Sequence, residues 1–230
     1  MSEQEAGSKL LVFLPTAGIL AGFLMSVLVG ITDYPPLFSG FIFGLLLACG
    51  LYLAGILRSP QRAFVLVVVA TAAYFLSFFA AFGLQMKFPQ IVPIDQRWSM
   101  STSEPAAPMA LLAGGLVGGF LLFGSVVLLL SPRKGIAAAA RRVVLGTVLG
   151  GLLGIAGWAL RSSLGIAIWH LFAAFRLTPF GGSPREWFGG QYDYSETTRM
   201  YSLFFVWQTG VATAIAVMLR RDLQKSKQNG

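Results

Sequence analysis

The sequence predicts an all-α, polytopic membrane helix bundle with six transmembrane helices and a structured outer-face cap. Three observations lead there. The chain of 230 residues is 56% hydrophobic and 11% charged, with a mean hydropathy of +0.73, far from the balance of an ordinary soluble domain. Its charges are segregated: the intervals 10–32, 34–57, 63–86, 105–132, 143–160 and 200–219 contain no Asp, Glu, Lys, Arg or His. Each holds about 18 or more mainly apolar residues, enough at about 1.5 Å per residue to cross a hydrocarbon core of about 30 Å. Many of the 27 glycines also fall inside these apolar runs, where a water-exposed helix would lose about 1 kcal/mol for each relative to Ala.

Taken in order, the expected spans are 10–31, 37–57, 63–84, 108–130, 143–160 and 199–219, in a single integral membrane domain covering 1–230. The leader MSEQEAGSK sets Glu3 and Glu5 against Lys9. A cleaved secretion signal begins with a basic segment and has a shorter apolar run, so the first span is expected to be retained. In the second span Cys49 is the only cysteine, which rules out an internal disulfide. RSPQR at 58–62 and SPRK at 131–134 each set Ser at a helix N-cap and Pro at the first helical position, predicting tight hairpins. Between the third and fourth spans, 85–107 carries Pro89, Pro93, Pro105 and Trp98 and reads as an extended outer segment. IAAAARR at 136–142 is expected to lie along the inner interface before the fifth span enters.

The outer segment 162–198 is expected to form an interfacial or re-entrant cap. On a helix over 162–175, Leu164, Ile168, Leu171, Phe172 and Phe175 share one side, while Ser163, Ala167, His170 and Ala174 share the other. SPRE at 183–186 and DYSE at 193–196 are capping boxes, the second starting the last helix. Trp98, Trp169, Trp187, Tyr192, Tyr194 and Tyr201 make up the expected outer aromatic belt.

Orientation follows from the basic residues. With a cytoplasmic N-terminus, eleven of the seventeen Lys and Arg residues fall on the cytoplasmic side with three acids, and six fall outside with six acids. The net charge of +8 then sits wholly on one face. This predicts a cytoplasmic (inner) membrane protein with both termini inside. Anionic lipid at that face, rather than nucleic acid, is the expected partner of the bases.

The glycines form stripes. Gly146, Gly150, Gly154 and Gly157 fall within an arc of about 80° on a helix. Gly18 and Gly22 of the first span, and Gly114 and Gly118 of the fourth, repeat at four-residue spacing. Hydrophobicity drives little helix association in lipid, so small residues that let backbones touch supply the contact. Glycine-zipper packing within the chain is the expected role, with an interface to itself or to another membrane protein as the alternative. AGILAGFL at 17–24 matches GGLVGGFL at 114–121, which raises an inverted three-plus-three repeat of the kind built into many transporters.

Buried chemistry is sparse. Proton-coupled transport through an in-span carboxylate is disfavoured, since the spans hold none. A single histidine, His170, leaves no basis for bis-His haem ligation or a His-rich metal site, and no cofactor is expected. Ser163 lies seven residues from His170, about 10 Å along a helix, too far for a catalytic dyad. The outer residues Arg161, His170, Arg176, Arg185 and Asp193 are candidates for binding a headgroup or anion, or for ion pairs that pin the cap. Gln208 and Thr209 in the sixth span, and Thr71, Tyr74 and Ser77 in the third, are expected to hydrogen-bond between helices or to coordinate a neutral solute. Three function classes follow: a non-catalytic scaffold, assembly or accessory subunit of a membrane complex, which ranks first; a transporter or channel for a small neutral or lipid-like solute; and, weakest, an outer-face lipid-modifying enzyme.

Overall fold

A computed structural model describes residues 3–28, 35–87, 107–130, 135–174 and 194–228. All its elements are helices, with no strand among the described residues. In chain order they are α1 (Glu3–Leu28), α2 (Pro35–Leu53), α3 (Pro60–Lys87), α4 (Ala107–Leu130), α5 (Ile136–Ala159), a π-helical turn (Arg161–Gly165), α6 (Ile166–Ala174) and α7 (Tyr194–Gln228).

Five of them, α1, α3, α4, α5 and α7, are long and apolar enough to cross a membrane. The chain thus forms a helical bundle compatible with a multi-pass membrane protein. α2 is shorter at 19 residues, and its apolar stretch runs from Phe38 to Leu53.

Each helix packs against its neighbour in sequence, α1 on α2, α2 on α3, α3 on α4 and α4 on α5. α5 then packs on α7, and α7 returns to α1, closing a ring. The ring is filled by Leu10 and Leu14 of α1, Phe43 and Leu47 of α2, Leu66 and Ala70 of α3, Leu122 and Val126 of α4, and Val211 and Ile215 of α7. The outward faces carry large apolar residues such as Phe64, Leu128 and Val144, as expected of helices surrounded by hydrocarbon instead of water.

Several helix ends differ from the expected spans for local reasons. α1 begins at Glu3, because the charged leader is itself helical and carries a Glu5–Lys9 ion pair of 2.8 Å one turn apart. α2 stops at Leu53 instead of running to Leu57. Gly55 takes a left-handed φ of 74°; its N–H bonds the Tyr52 carbonyl at 2.9 Å and the Ile56 N–H bonds the Leu51 carbonyl at 3.0 Å. That pair of bonds is a Schellman cap, which needs a residue free of Cβ strain at the position of Gly55.

The hairpin then restarts with Pro60 as the first residue of α3 and the Ser59 carbonyl accepting the Ala63 N–H at 3.1 Å, which agrees with the expected start. The equivalent SPRK segment lies outside the described residues. Residues 136–142 are the first two turns of α5 itself, not a separate interfacial segment. The expected outer cap is described only in part. Residues 162–174 continue from α5 through the π-helical turn, whereas 175–193, with the first capping box and Trp187, lie outside the described residues.

Candidate functional site

The eight stripe glycines all face helices of this chain. A Cβ built on Gly18 would lie 2.7 Å from the Gln208 carbonyl oxygen and from Thr209 Cα, and one on Gly22 would lie 2.9 Å from Phe205 Cα. α1 therefore rests directly on the backbone of α7. Gly114 and Gly118 meet Ser77 of α3, and Gly118 also meets the Trp207 ring. On α5, Gly150 faces Gly115 and Gly119, Gly154 faces the Leu111 carbonyl, and Gly146 faces the Phe123 ring, all on α4.

In the register of the eight-residue match, the first and fourth spans do not pack alike. The aligned glycines point to different neighbours, Gly18 and Gly22 to α7 but Gly115 and Gly119 to α5. An inverted repeat would turn Gly115 and Gly119 toward α3.

Close approach brings polar groups of α7 to α5. Ser202 Oγ donates to the Gly157 carbonyl at 2.8 Å, and Trp207 Nε1 donates to the Gly150 carbonyl at 3.1 Å. Toward the other end of the pair, Arg142 and Asp222 form a two-pronged ion pair, with Nη1 to Oδ2 at 2.6 Å. Sequence reasoning missed all of these. The legible signal was the glycines, whose bare backbone leaves carbonyls within reach of a neighbouring helix.

One residue further along α7 the pattern reverses. Gln208 is fully buried, and neither its Oε1 nor its Nε2 has a hydrogen-bond partner. The Tyr74 hydroxyl of α3 and the Thr209 hydroxyl are likewise shut off from solvent without a partner. The Tyr74 hydroxyl and the Gln208 amide face one another without reaching good hydrogen-bond geometry. Beside them, Phe43, Tyr74 and Trp207 form an aromatic trio with ring centroids 5.1–6.1 Å apart, Tyr74 edge-on to Trp207 at 83°.

Of the hydrogen bonds between helices expected of the in-span polar residues, only the Tyr74–Gln208 approach is present, and it falls short of good geometry. Thr71 and Ser77 bond carbonyls of their own helix, Val67 at 2.8 Å and Ala73 at 2.5 Å, and the other three are unpartnered. Leaving such a group buried and unpaired costs about 1–3 kcal/mol each, so each of these groups in a native bundle calls for an explanation. The groups are uncharged. Gln208 offers two donors and an acceptor oxygen, and each hydroxyl offers one donor and lone pairs.

The outer candidates do not assemble among the described residues. Arg161 lies in the π-helical turn, its guanidinium 4.0 Å from the Trp158 ring centroid and its Nη1 3.1 Å from the Trp158 carbonyl, an arrangement that holds it against its own helix. His170 is exposed on α6, nine residues on, about 13 Å along the axis. Arg176, Arg185 and Asp193 lie outside the described residues. Among the described residues no group of three His, Cys, Asp or Glu side chains is set to hold a metal.

The arrangement is that of a helical bundle compatible with a multi-pass membrane protein, with buried uncharged polar groups on α3 and α7. No family model matches the chain, and neither a curated protein nor a solved structure matches it.

Proposed function

We propose that this protein binds a small, neutral, hydrogen-bonding solute at Gln208, Tyr74 and Thr209 and passes it across the membrane. The observation that carries the reading is the burial of four polar atoms without a well-formed hydrogen bond, on Tyr74 of α3 and on Gln208 and Thr209 of α7, with Tyr74 and Gln208 facing one another. Tyr74 and Gln208 each stand near the middle of their charge-free interval, which is where a carrier holds its substrate. The lack of any charge at the site favours water, urea, short amides or small polyols over ions. Its enclosure favours a carrier whose helices part, not an open pore.

The accompanying topology has six spans, α2 included, with both termini at the cytoplasmic face of an inner membrane and 162–198 as an outer cap. α2 at 19 residues is about 28 Å long, close to the hydrocarbon thickness. The charge asymmetry supplies the orientation. Reporter fusions after each span check it, and an external C-terminus would overturn it.

The solute reading is tested in proteoliposomes by light scattering under inward gradients of urea or glycerol. Wild-type chain is expected to raise flux above empty vesicles, and Gln208→Leu to remove the increase while eluting as a folded species. Equal flux through wild-type and empty vesicles across the solute class overturns the reading.

The accessory-subunit reading keeps one supporting observation, the open groove between α2 and α3 described below. Its glycine motive weakens, because the stripe glycines contact helices of their own chain. A stoichiometric protein partner leaving native membranes with the chain would favour it. The outer-face enzyme ranks last, since Arg161 and His170 stand apart.

A further inference from the structure

On the outward side of the α2–α3 hairpin lies an open apolar groove of about 1010 Å³, walled by Phe41, Leu45, Tyr52, Phe64, Val68 and Phe75. Along α3 its lining runs from Pro60 to Phe75, about 22 Å at 1.5 Å per residue. That exceeds half of an approximately 30 Å hydrocarbon core, so the groove accepts the full length of an acyl chain from one leaflet. The walls are apolar apart from Thr71, whose hydroxyl is taken up by the Val67 carbonyl, and from Tyr52 and Ser59 at one end.

At that same end stand Arg58 and Arg62, both exposed. The turn fixes Arg58: Gly55, held left-handed in the cap of α2, presents its carbonyl 3.5 Å from Arg58 Nε. Among the described residues no carboxylate pairs with either arginine; Glu5 is engaged by Lys9 and Asp222 by Arg142. A pair of guanidiniums without a carboxylate partner among the described residues, beside hydroxyls at the mouth of a trough of acyl-chain length, is complementary to an anionic phosphate joined to acyl tails.

We infer that the α2–α3 groove is a binding site for one anionic phospholipid, its tails along Phe41–Phe75 and its phosphate at Arg58, Arg62 and Ser59. The inference is independent of the neutral solute site, whose residues face the opposite side of the hairpin. It also does not depend on which way the bundle is inserted, because groove mouth and arginines share one end.

The test reconstitutes the intact chain in nanodiscs of phosphatidylcholine with a minor share of phosphatidylglycerol. The discs are then stripped with mild detergent, and the lipids that stay are measured by native mass spectrometry. The wild-type chain is expected to retain phosphatidylglycerol enriched about tenfold over its share, since each basic group near a headgroup adds about 1 kcal/mol before screening. The exposed pair R58Q/R62Q is expected to lose the enrichment while still retaining zwitterionic lipid. Ala72→Trp, which fills the groove wall, is expected to lose both. Equal retention of the two lipids by wild type and R58Q/R62Q overturns the inference, as does a protein helix that crosslinks to Cys49, which lines the groove, in place of lipid. Should Ala72→Trp fail to fold, the arginine pair alone decides the matter.

Discussion

Trp207 and Gln208 are adjacent on one helix and treated in opposite ways. The α5–α7 seam gives every polar side chain it buries a partner: Ser202 to Gly157, Trp207 to Gly150, Arg142 to Asp222. The α3–α7 centre, one residue away, buries Gln208, Thr209 and the Tyr74 hydroxyl with none. The seam is stitched for stability, while the centre gives stability up. Two such regions on a single helix separate what assembles the bundle from what we propose holds its solute.

Substitutions break or sharpen this contrast, and the largest effect belongs to the seams. Gly150→Leu is expected to abolish folded, monodisperse protein. Its Cβ alone would meet the Gly115 carbonyl and fall 2.9 Å from Gly119 Cα; backbone on both counts, it cannot swing aside, and the cost is at least about 3 kcal/mol. Size-exclusion profiles in detergent check it, and a wild-type profile would mean that α4 and α5 do not touch there. Asp222→Asn leaves Arg142, 18% exposed, without its counter-charge. The expected loss is about 2 kcal/mol, read as a lower melting temperature.

Trp207→Phe removes one indole donor while Gly150 keeps its helical bond, for an expected loss of about 1 kcal/mol. Gln208→Met is the smallest in stability and the most telling. It exchanges two unpartnered polar atoms for apolar ones of similar shape, so stability should hold or rise by up to about 1 kcal/mol. A loss as large as that of Trp207→Phe would show that Gln208 belongs with the seam after all.

Periodicity and charge made the helices legible. α4 and the start of α3 follow from uninterrupted apolar runs and from Ser59–Pro60. Where the sequence misled, a local conformation intervened: AGIL after Leu53 reads as more span until Gly55 turns left-handed, and SSLGIAIWHLFAAF reads as a separate element because its link to α5 is a π turn. The glycine stripes were visible, but not the helix each one meets, since a stripe defines a surface and leaves its partner open. The candidate site was legible only as a set of names. Thr71, Tyr74, Ser77, Gln208 and Thr209 look alike in a sequence, and it takes the turn of each helix to decide which of them bond their own backbone and which face inward unpartnered.

The charge-free core also governs how the protein responds to energy. A side chain carrying one charge through the whole bilayer field exchanges about 2.3 kcal/mol per 100 mV with it. The intervals 10–32, 34–57, 63–86, 105–132, 143–160 and 200–219 carry no Asp, Glu, Lys, Arg or His, so voltage has no side-chain handle along these stretches. Under the proposed carrier reading, a rearrangement that opens the centre is expected to be electrically silent and equally available in an energised and a depolarised membrane.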